Sequence, residues 1–299
     1  LRQFRQEQQY EAVRYGTENE GFPVGPACRA LHISRASYYQ WRSGKAGGRV
    51  AENQRIAQLV QEIHRDSPDK GYRRIRDDLD KYYHTPVNDK RTLRICRCLG
   101  IQSAVKHAPH GCTRVASSPR QLAENVLNRQ FYADRPNEKW LTDVTEFHYY
   151  TGNTMCKLYL SAILDLCDRR IVSFIIRDTN DAALVHRTLA QALEGNPGAR
   201  PLLHSDRGSA YTTQIFHDKL AAAGITQSMS RVGKCIDNGP MEGFWGILKR
   251  ERYYGRRFTS REQLVKMIQE YITYYNFHRL QRGLGVRTPM EVHDCLSAA

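Results

Sequence analysis

The stretch KWLTDVTEFHYY, residues 139–150, decides the architecture of the chain. Polar residues alternate there with β-branched and aromatic ones, the pattern of a β-strand. Two more runs follow. LYLSAILDL (158–166) is nearly all apolar, as a strand covered on both faces should be. IVSFII (171–176) is a third strand, and turns at Thr151–Asn153 and near Asp168–Arg170 join the three as a meander. Downstream, Ala182, Val185, Leu189 and Ala192 form one helical stripe. PLLHSD (201–206) is a short strand, Ile215, Phe216, Leu220 and Ala223 mark a helix, and ITQSMS (225–230) is a fifth strand. A helix starts near Asn238–Pro240, where proline suits the first turn. A last long helix carries Leu264, Ile268, Tyr271, Ile272 and Tyr275. Three strands, then helix–strand–helix–strand–helix, predict an α/β domain: a mixed five-stranded sheet with helices on its faces.

Upstream the pattern is all helical. Residues 1–20 are polar and glutamine-rich and read as a tail or as the end of a helix. Residues 24–42 read as a helix-turn-helix, with Ser34 capping a second helix that carries Arg35, Tyr38, Tyr39 and Trp41. Ser43–Gly48 reads as a linker. Ile56, Leu59, Val60 and Ile63 mark one further helix, and Ile75 and Leu79 another. Asn88 caps a third that holds Leu93, Ile95, Cys96 and Leu99, with Lys90, Arg91, Arg94 and Arg97 on the same helix. A short helix, a turn and a basic helix form the geometry that seats one helix in a DNA major groove. Arg35, Tyr38, Lys90, Arg91 and Arg94 are the candidate DNA contacts of this region. An ordinary helical hairpin with a solvated charged face is the competing reading. The expected domains are 1–48, a tail and helix-turn-helix; 49–104, a second helical DNA-binding region; 105–135, a connector with a short helix near Gln121–Asn128; and 136–299, the α/β core with its C-terminal helix.

Composition bounds the possible functions. The 299 residues allow two or three domains. The net charge of +14 is uneven: residues 1–135 carry +10 and residues 136–299 carry +4. That asymmetry favours a polyanionic partner, because counterion release drives binding to phosphates. No apolar run has the length of a membrane span and no signal-peptide pattern opens the chain, so the expectation is a cytoplasmic protein with no membrane partner. The eight cysteines show no C-x-x-C pair and read as reduced thiols. His107, His110 and Cys112 lie close in sequence but lack a fourth ligand and read as a loop. The first residue is Leu1, not Met, which suggests a fragment or the downstream part of a longer product.

Three acids stand apart by position. Asp143 interrupts the first strand, where a carboxylate among apolar neighbours is costly without a partner or a task. Asp206 ends the fourth strand, and Glu242 lies in the first turn of the helix after the fifth. With the first and fourth strands adjacent, the three can meet at one end of the sheet, where open α/β sheets bind ligands. Three carboxylates and one scissile phosphate balance two divalent cations. Mg²⁺ prefers oxygen ligands, and two ions ~4 Å apart activate the attacking oxygen and stabilise the leaving one in phosphodiester chemistry. Asp165 and Asp168 are rivals, read as turn formers. Spacing alone is weak among 31 acidic residues, each of which could be a surface or capping group. Lys249, seven residues after Glu242, falls on the same helix face. Lys234, Arg250, Arg252, Arg256 and Arg257 surround that face with positive charge.

WLTDVTEF, HSDRGSAY, DNGPMEGFWGILKRE and YNFHRLQRGLGVRTPMEV resemble, in that order, motifs of bacterial insertion-sequence transposases of the IS-three type, whose catalytic core is similar to retroviral integrase. Between Asp206 and Glu242 lie 35 residues, the spacing that gives the family's acidic DDE triad its usual name. The upstream CRALHISRASYYQW and GYRRIRDDL…VNDKRTLRI resemble the helical region that precedes the core. The resemblance implies an RNase H-like fold, with Asp143, Asp206 and Glu242 as ligands of two Mg²⁺ ions (Mn²⁺ as substitute). It places His204 in support of Asp206, and Asn238 and Lys249 against substrate DNA. Ala210, Gly243 and Trp245 depart from the residues common at those positions. It implies binding to terminal inverted repeats, 3′-hydroxyl release and strand joining, a homo-oligomer, bacterial nucleoid DNA as the place of action, and an upstream frame product fused to this one. The alternatives are a catalytically silent DNA-binding regulator derived from a transposase, or a nuclease of the same fold without a joining step. Strand transfer on a terminal-repeat oligonucleotide separates them.

Overall fold

A computed structural model of the chain describes residues 2–43, 48–105, 122–231 and 235–298. The chain divides into two compact units, residues 1–103 and 104–299.

The first unit is helical throughout. Helix α1 (Arg2–Glu18) is a full helix rather than a tail, and it buries Tyr10 and Val13. Helices α2 (Val24–Ala30) and α3 (Arg35–Arg42) follow as expected, with Ser34 accepting from Ser37 N–H at the start of α3. Tyr10, Val13, Cys28 and Tyr38 form their small core. Helices α4 (Gly48–Asp66), α5 (Tyr72–Lys81) and α6 (Asp89–Cys98) enclose a second core of Ile56, Val60, Ile63, Ile75, Leu79 and Ile95. Asn88 caps α6 by accepting from Arg91 N–H at 2.7 Å.

The second unit holds the mixed sheet. Its strands are β1 (Lys139–Thr151), β2 (Thr154–Asp165), β3 (Ile171–Arg177), β4 (Leu202–Ser205) and β5 (Thr226–Met229). Their order across the sheet is β3-β2-β1-β4-β5. The meander β1–β2–β3 is antiparallel, whereas β4 and β5 run parallel to β1 and to each other. This is the RNase H-like arrangement expected from the sequence. Helices α7 (Ala182–Gly195) and α8 (Gln214–Ala222) cover one face, packing Val185, Leu189, Phe216 and Leu220 on Trp140, Ile163 and Leu203. Helices α9 (Gly239–Leu248) and α10 (Arg261–Phe277) cover the other, packing Phe244, Leu248, Ile268 and Tyr271 on Leu141, Phe147, Leu160 and Ala162. Strand period two sends alternate residues of β1 to opposite layers. Odd positions from Leu141 therefore face α9, and even positions face α8.

Three features differ from the sequence reading. β2 begins at Thr154, four residues before the apolar run, because its polar start pairs with the end of β1. No helix forms at 122–128; that segment lies along β5, with Met229 N–H donating to Glu124 O and Leu127 N–H to Ser228 Oγ. A further helix, α11 (Pro289–Ser297), closes the C-terminal end behind a Thr288–Glu291 capping box. Asp165 and Asp168 are buried turn residues, as read. Asp165 accepts from Asn137 N, Cys167 N and Trp140 Nε1, and Asp168 binds Arg170 and His293. The segment holding His107, His110 and Cys112 lies outside the described residues. Among the described residues, no helix is long and apolar enough to cross a membrane.

One side chain ties α10 to the sheet. Asn276 Oδ1 accepts from Ile171 N–H at 2.9 Å, and its Nδ2 donates to Ile171 O at 3.0 Å, both buried. Asn276→Ala would leave two buried backbone groups unpaired, each costing about 1–3 kcal/mol. Denaturant unfolding of that variant is expected to show a loss of roughly 2–4 kcal/mol; a loss within error of zero would contradict the tie.

Candidate active site

The parallel ladder between β1 and β4 is short: Lys139, Trp140 and Leu141 pair with Leu202, Leu203 and His204. Two residues past the last pair come Asp143, still within β1, and Asp206, the residue that follows β4. The rim of the sheet therefore receives one carboxylate from each of two adjacent strands. Asp143 is an odd position of β1 and points to the α9 side, where its Oδ2 accepts from Trp245 Nε1 at 3.0 Å. Its Oδ1 accepts from Val144 N–H at 2.8 Å. Asp206 Oδ1 accepts from Gly208 N–H at 2.8 Å. A Cβ on Gly208 would stand 2.9 Å from that oxygen, so the turn depends on a missing side chain.

Glu242 is exposed in the first turn of α9. The turn before it is fixed from a distance. Asp237 is fully buried and accepts from Arg231, Arg129 and Asn125 at 2.9, 2.7 and 3.0 Å. Those guanidiniums, Arg231 first, hold its carboxyl below the ordinary range. Asn238 is also buried. Its Nδ2 donates to Thr142 O at 3.2 Å, beside Asp143, while its Oδ1 is buried without a partner among the described residues. The sequence reading placed Asn238 against DNA; its burial makes it a clamp between β1 and the start of α9 instead.

The acids influence one another. Burial, then the charges of Asp206 and Glu242, push the Asp143 carboxyl up to about 7 against the hydrogen bonds from Val144 and Trp245. Loss of solvent also raises Asp206 and Glu242. Beneath them lies Tyr211, whose phenol burial and the same two aspartates hold well above its ordinary range. Lys249 begins a π-helical turn, Lys249–Tyr253, directly after α9. Its Nζ lies 5.0 Å from the Phe147 ring centroid, and burial lowers its pKa while Asp143 and Glu146 oppose that. Lys249 thus faces the same side of β1 as Asp143. Among the described residues, no three His, Cys, Asp or Glu side chains are gathered closely enough to close on one metal ion. The donor chemistry nevertheless fits a hard divalent cation: the facing groups are carboxylates, and their mutual repulsion is what such a cation relieves.

Other sequence candidates are distributed as follows. His204 is buried and bonds Ser228 Oγ and Ser230 Oγ at 2.8 and 3.1 Å; it braces β5, not Asp206. Burial lowers its pKa to about 4, so the ring is neutral at pH 7. Tyr38 is fully buried against Tyr10 and Trp41, which corrects its reading as a DNA contact. Arg91 is drawn into α4, bonding Glu52 at 2.8 and 3.1 Å and Asn53 at 2.9 Å. Lys90, Arg94 and Arg35 are exposed. Arg250 is half-buried, and Lys234 lies outside the described residues. The Trp245–Asp143 contact and the Arg129 and Asn125 contacts of Asp237 are not legible in the sequence because the partners lie about a hundred residues apart.

A mixed sheet presenting two carboxylates at the rim between β1 and β4, with a third acid on the helix behind, defines the integrase-core class. Two family models described as integrase core domain match residues 133–235 and 223–289, and one described as an HTH-like domain matches 51–109. Over 204 residues the chain is 41% identical to an uncharacterized transposase-like protein of Haemophilus influenzae, covering 68% of this chain and 92% of that one. It is 35% identical over 275 residues to InsK, the transposase attributed to insertion sequence element IS150 of Escherichia coli K12, covering 91% and 94%. A chain of the simian T-cell lymphotropic virus intasome, solved with a PP2A regulatory subunit, aligns at 19% identity and a TM-score of 0.46, covering 80% of this chain and 74% of that one. The chain belongs to the transposases of bacterial insertion sequences, within the acidic-triad integrase superfamily.

The Asp143 shift has a stability consequence. A carboxyl raised from 3.8 to about 7 binds more protons in the folded state than in the unfolded state between those values. Its contribution is greatest below the lower value and is lost as pH rises through the higher one. Asp143→Asn removes that loss. In buffer free of divalent ions it is expected to melt at a higher temperature than the native chain at pH 8, with the gap closing toward pH 4. A gap independent of pH would refute the linkage.

Proposed function

We propose that this chain cuts and joins DNA strands at the ends of its insertion sequence, with Asp143, Asp206 and Glu242 as the catalytic acids. One observation carries the reading: Asp143 in β1 and Asp206 directly after β4 each lie two residues past the last ladder pair, within electrostatic reach of each other, and Asp143 also of Glu242. These three would hold two Mg²⁺ ions, with Mn²⁺ as substitute. Bound there, the ions supply charge for the scissile phosphate and lower the cost of deprotonating the attacking oxygen.

The remaining work belongs to side chains. Lys249, held beside Asp143, receives a non-bridging oxygen of the substrate phosphate, Arg250 adds positive charge next to it, and Lys234 is the other basic residue of this region proposed to meet the DNA. Asn238 keeps the start of α9 against β1, and neutral His204 keeps β5 in place without adding charge. A water oxygen attacks phosphorus in line as the P–O3′ bond breaks, freeing a 3′-hydroxyl. That hydroxyl then attacks a second phosphate, so one phosphodiester replaces another and no protein nucleophile is consumed. Recognition of the terminal inverted repeats falls to the first unit, through Arg35 on α3 and Lys90 and Arg94 on α6. Two ends must be held together, which calls for a homo-oligomer. The place of action is nucleoid DNA in the cytoplasm, and the target DNA is duplex.

On a terminal-repeat oligonucleotide with Mg²⁺, Asp206→Asn and Glu242→Gln are expected to lose cleavage and joining while still shifting the DNA in a gel. Cleavage retained by either variant would sink the assignment. Lys90→Ala/Arg94→Ala is expected to weaken binding and flatten the salt dependence of log K by about 0.9 for each phosphate left without its cation. An unchanged slope would remove α6 from the DNA.

A further inference from the structure

Both oxygens of Asp143 have a fixed donor: Val144 N–H from its own strand and Trp245 Nε1–H from α9, at 2.8 and 3.0 Å. The rotation of this carboxylate is therefore set by two elements at once. Trp245 is itself immobilised. It is buried, its ring centroid is 5.1 Å from that of Phe244, and Phe244 meets Tyr275 of α10 at 4.7 Å. Glu242 lies three residues before Trp245 on the same helix, so the two emerge on neighbouring positions of one face. The Trp245–Asp143 bond consequently registers the turn that carries Glu242 against the strand that carries Asp143. Core packing alone does not require this contact; burial of the indole rings leaves the direction of the N–H free, and here it is aimed at Asp143.

We propose that Trp245 is a positioning residue, a strut between β1 and α9 that aims Asp143 and sets its separation from Glu242, and so tunes the affinity of the site for its divalent ion. It touches no reacting atom. The inference rests on the acidic-triad reading above. A hydrogen bond to a charged acceptor is among the stronger ones in proteins, and groups that orient metal-ligating side chains typically change affinity 10–100-fold.

Trp245→Phe keeps an aromatic side chain, smaller than the indole, and removes the N–H. Mn²⁺ binding to the DNA-free full chain can be followed by the disappearance of the resonance signal of free Mn²⁺. The variant is expected to bind Mn²⁺ about tenfold or more weakly. The Mn²⁺ concentration that half-saturates strand cleavage should rise by the same factor, with kcat at saturating Mn²⁺ little changed. Trp245→His, which returns a ring N–H, is expected to recover part of the affinity, and it carries the comparison should the phenylalanine variant not fold. Unchanged Mn²⁺ affinity with a lowered melting temperature would reduce Trp245 to a core residue and overturn the proposal. Asp143→Asn in the same assays separates the strut from the triad. If it binds and cleaves like the native chain, the triad reading itself falls. If it is inactive while Trp245→Phe binds Mn²⁺ normally, only the strut falls.

Discussion

A half-buried ionisable side chain in a core strand is the constraint around which the second unit is organised. Asp143 occupies a strand position whose neighbours on the same face, Leu141 and Thr145, are buried. Such a group is tolerated only when its oxygens are satisfied and its charge has somewhere to go. The first condition is met by Val144 and Trp245. The second is met by the geometry of the sheet, because β4 stops pairing with β1 two residues before Asp143 and opens the rim. Had the β1–β4 ladder continued, pairing would run past Asp143 and close the rim beside it. The shortness of β4, only four residues, is therefore what leaves that rim open.

A related constraint governs α9. Its start is held by two buried polar residues that act in opposite electrical senses. Asp237 gathers Arg129 and Arg231, and Asn238 reaches across to Thr142. These contacts draw on residues from the loop before β1, the end of β5 and β1 itself. The turn that bears Glu242 is thereby referred to the same frame as Asp143 and Asp206, although Glu242 itself stands in solvent. Rigid support under an exposed carboxylate is what a site needs when its ligands must be ready before substrate arrives.

Much of this was legible in the sequence because the signals were local. Period-two alternation in 139–150, the apolar runs that follow and the helical stripes of α7 and α10 each report the burial of their own residues. Ser34, Asn88 and Pro240 mark helix starts by short-range bonding or fixed backbone geometry. Helix α1 was obscured because its sequence is rich in glutamine and, among the residues whose side chains are described, only Tyr10 and Val13 are buried. The segment 122–128 looked helical, yet its polar groups find partners across β5. Tyr38 and Asn238 carry groups that bind DNA readily, but burial removes both from it. Trp245 appeared only as a departure from pattern, since nothing within one helix says that an indole will meet a carboxylate on a strand a hundred residues earlier.

The unequal lengths of β1 and its neighbours have a mechanical side. One end of β1 is bonded to β4, the middle and far end are bonded to β2 throughout, and near the tip Tyr150 N–H donates to Phe258 O at 2.9 Å. The strand runs on for ten residues beyond the β4 ladder, roughly 30 Å. It is held most firmly at its root, where β2 and β4 flank it on both sides, and Asp143 lies close to that support. A load applied at the hairpin tip would displace the tip most and the carboxylate least. Asp143 is thus held apart from whatever bends the hairpin.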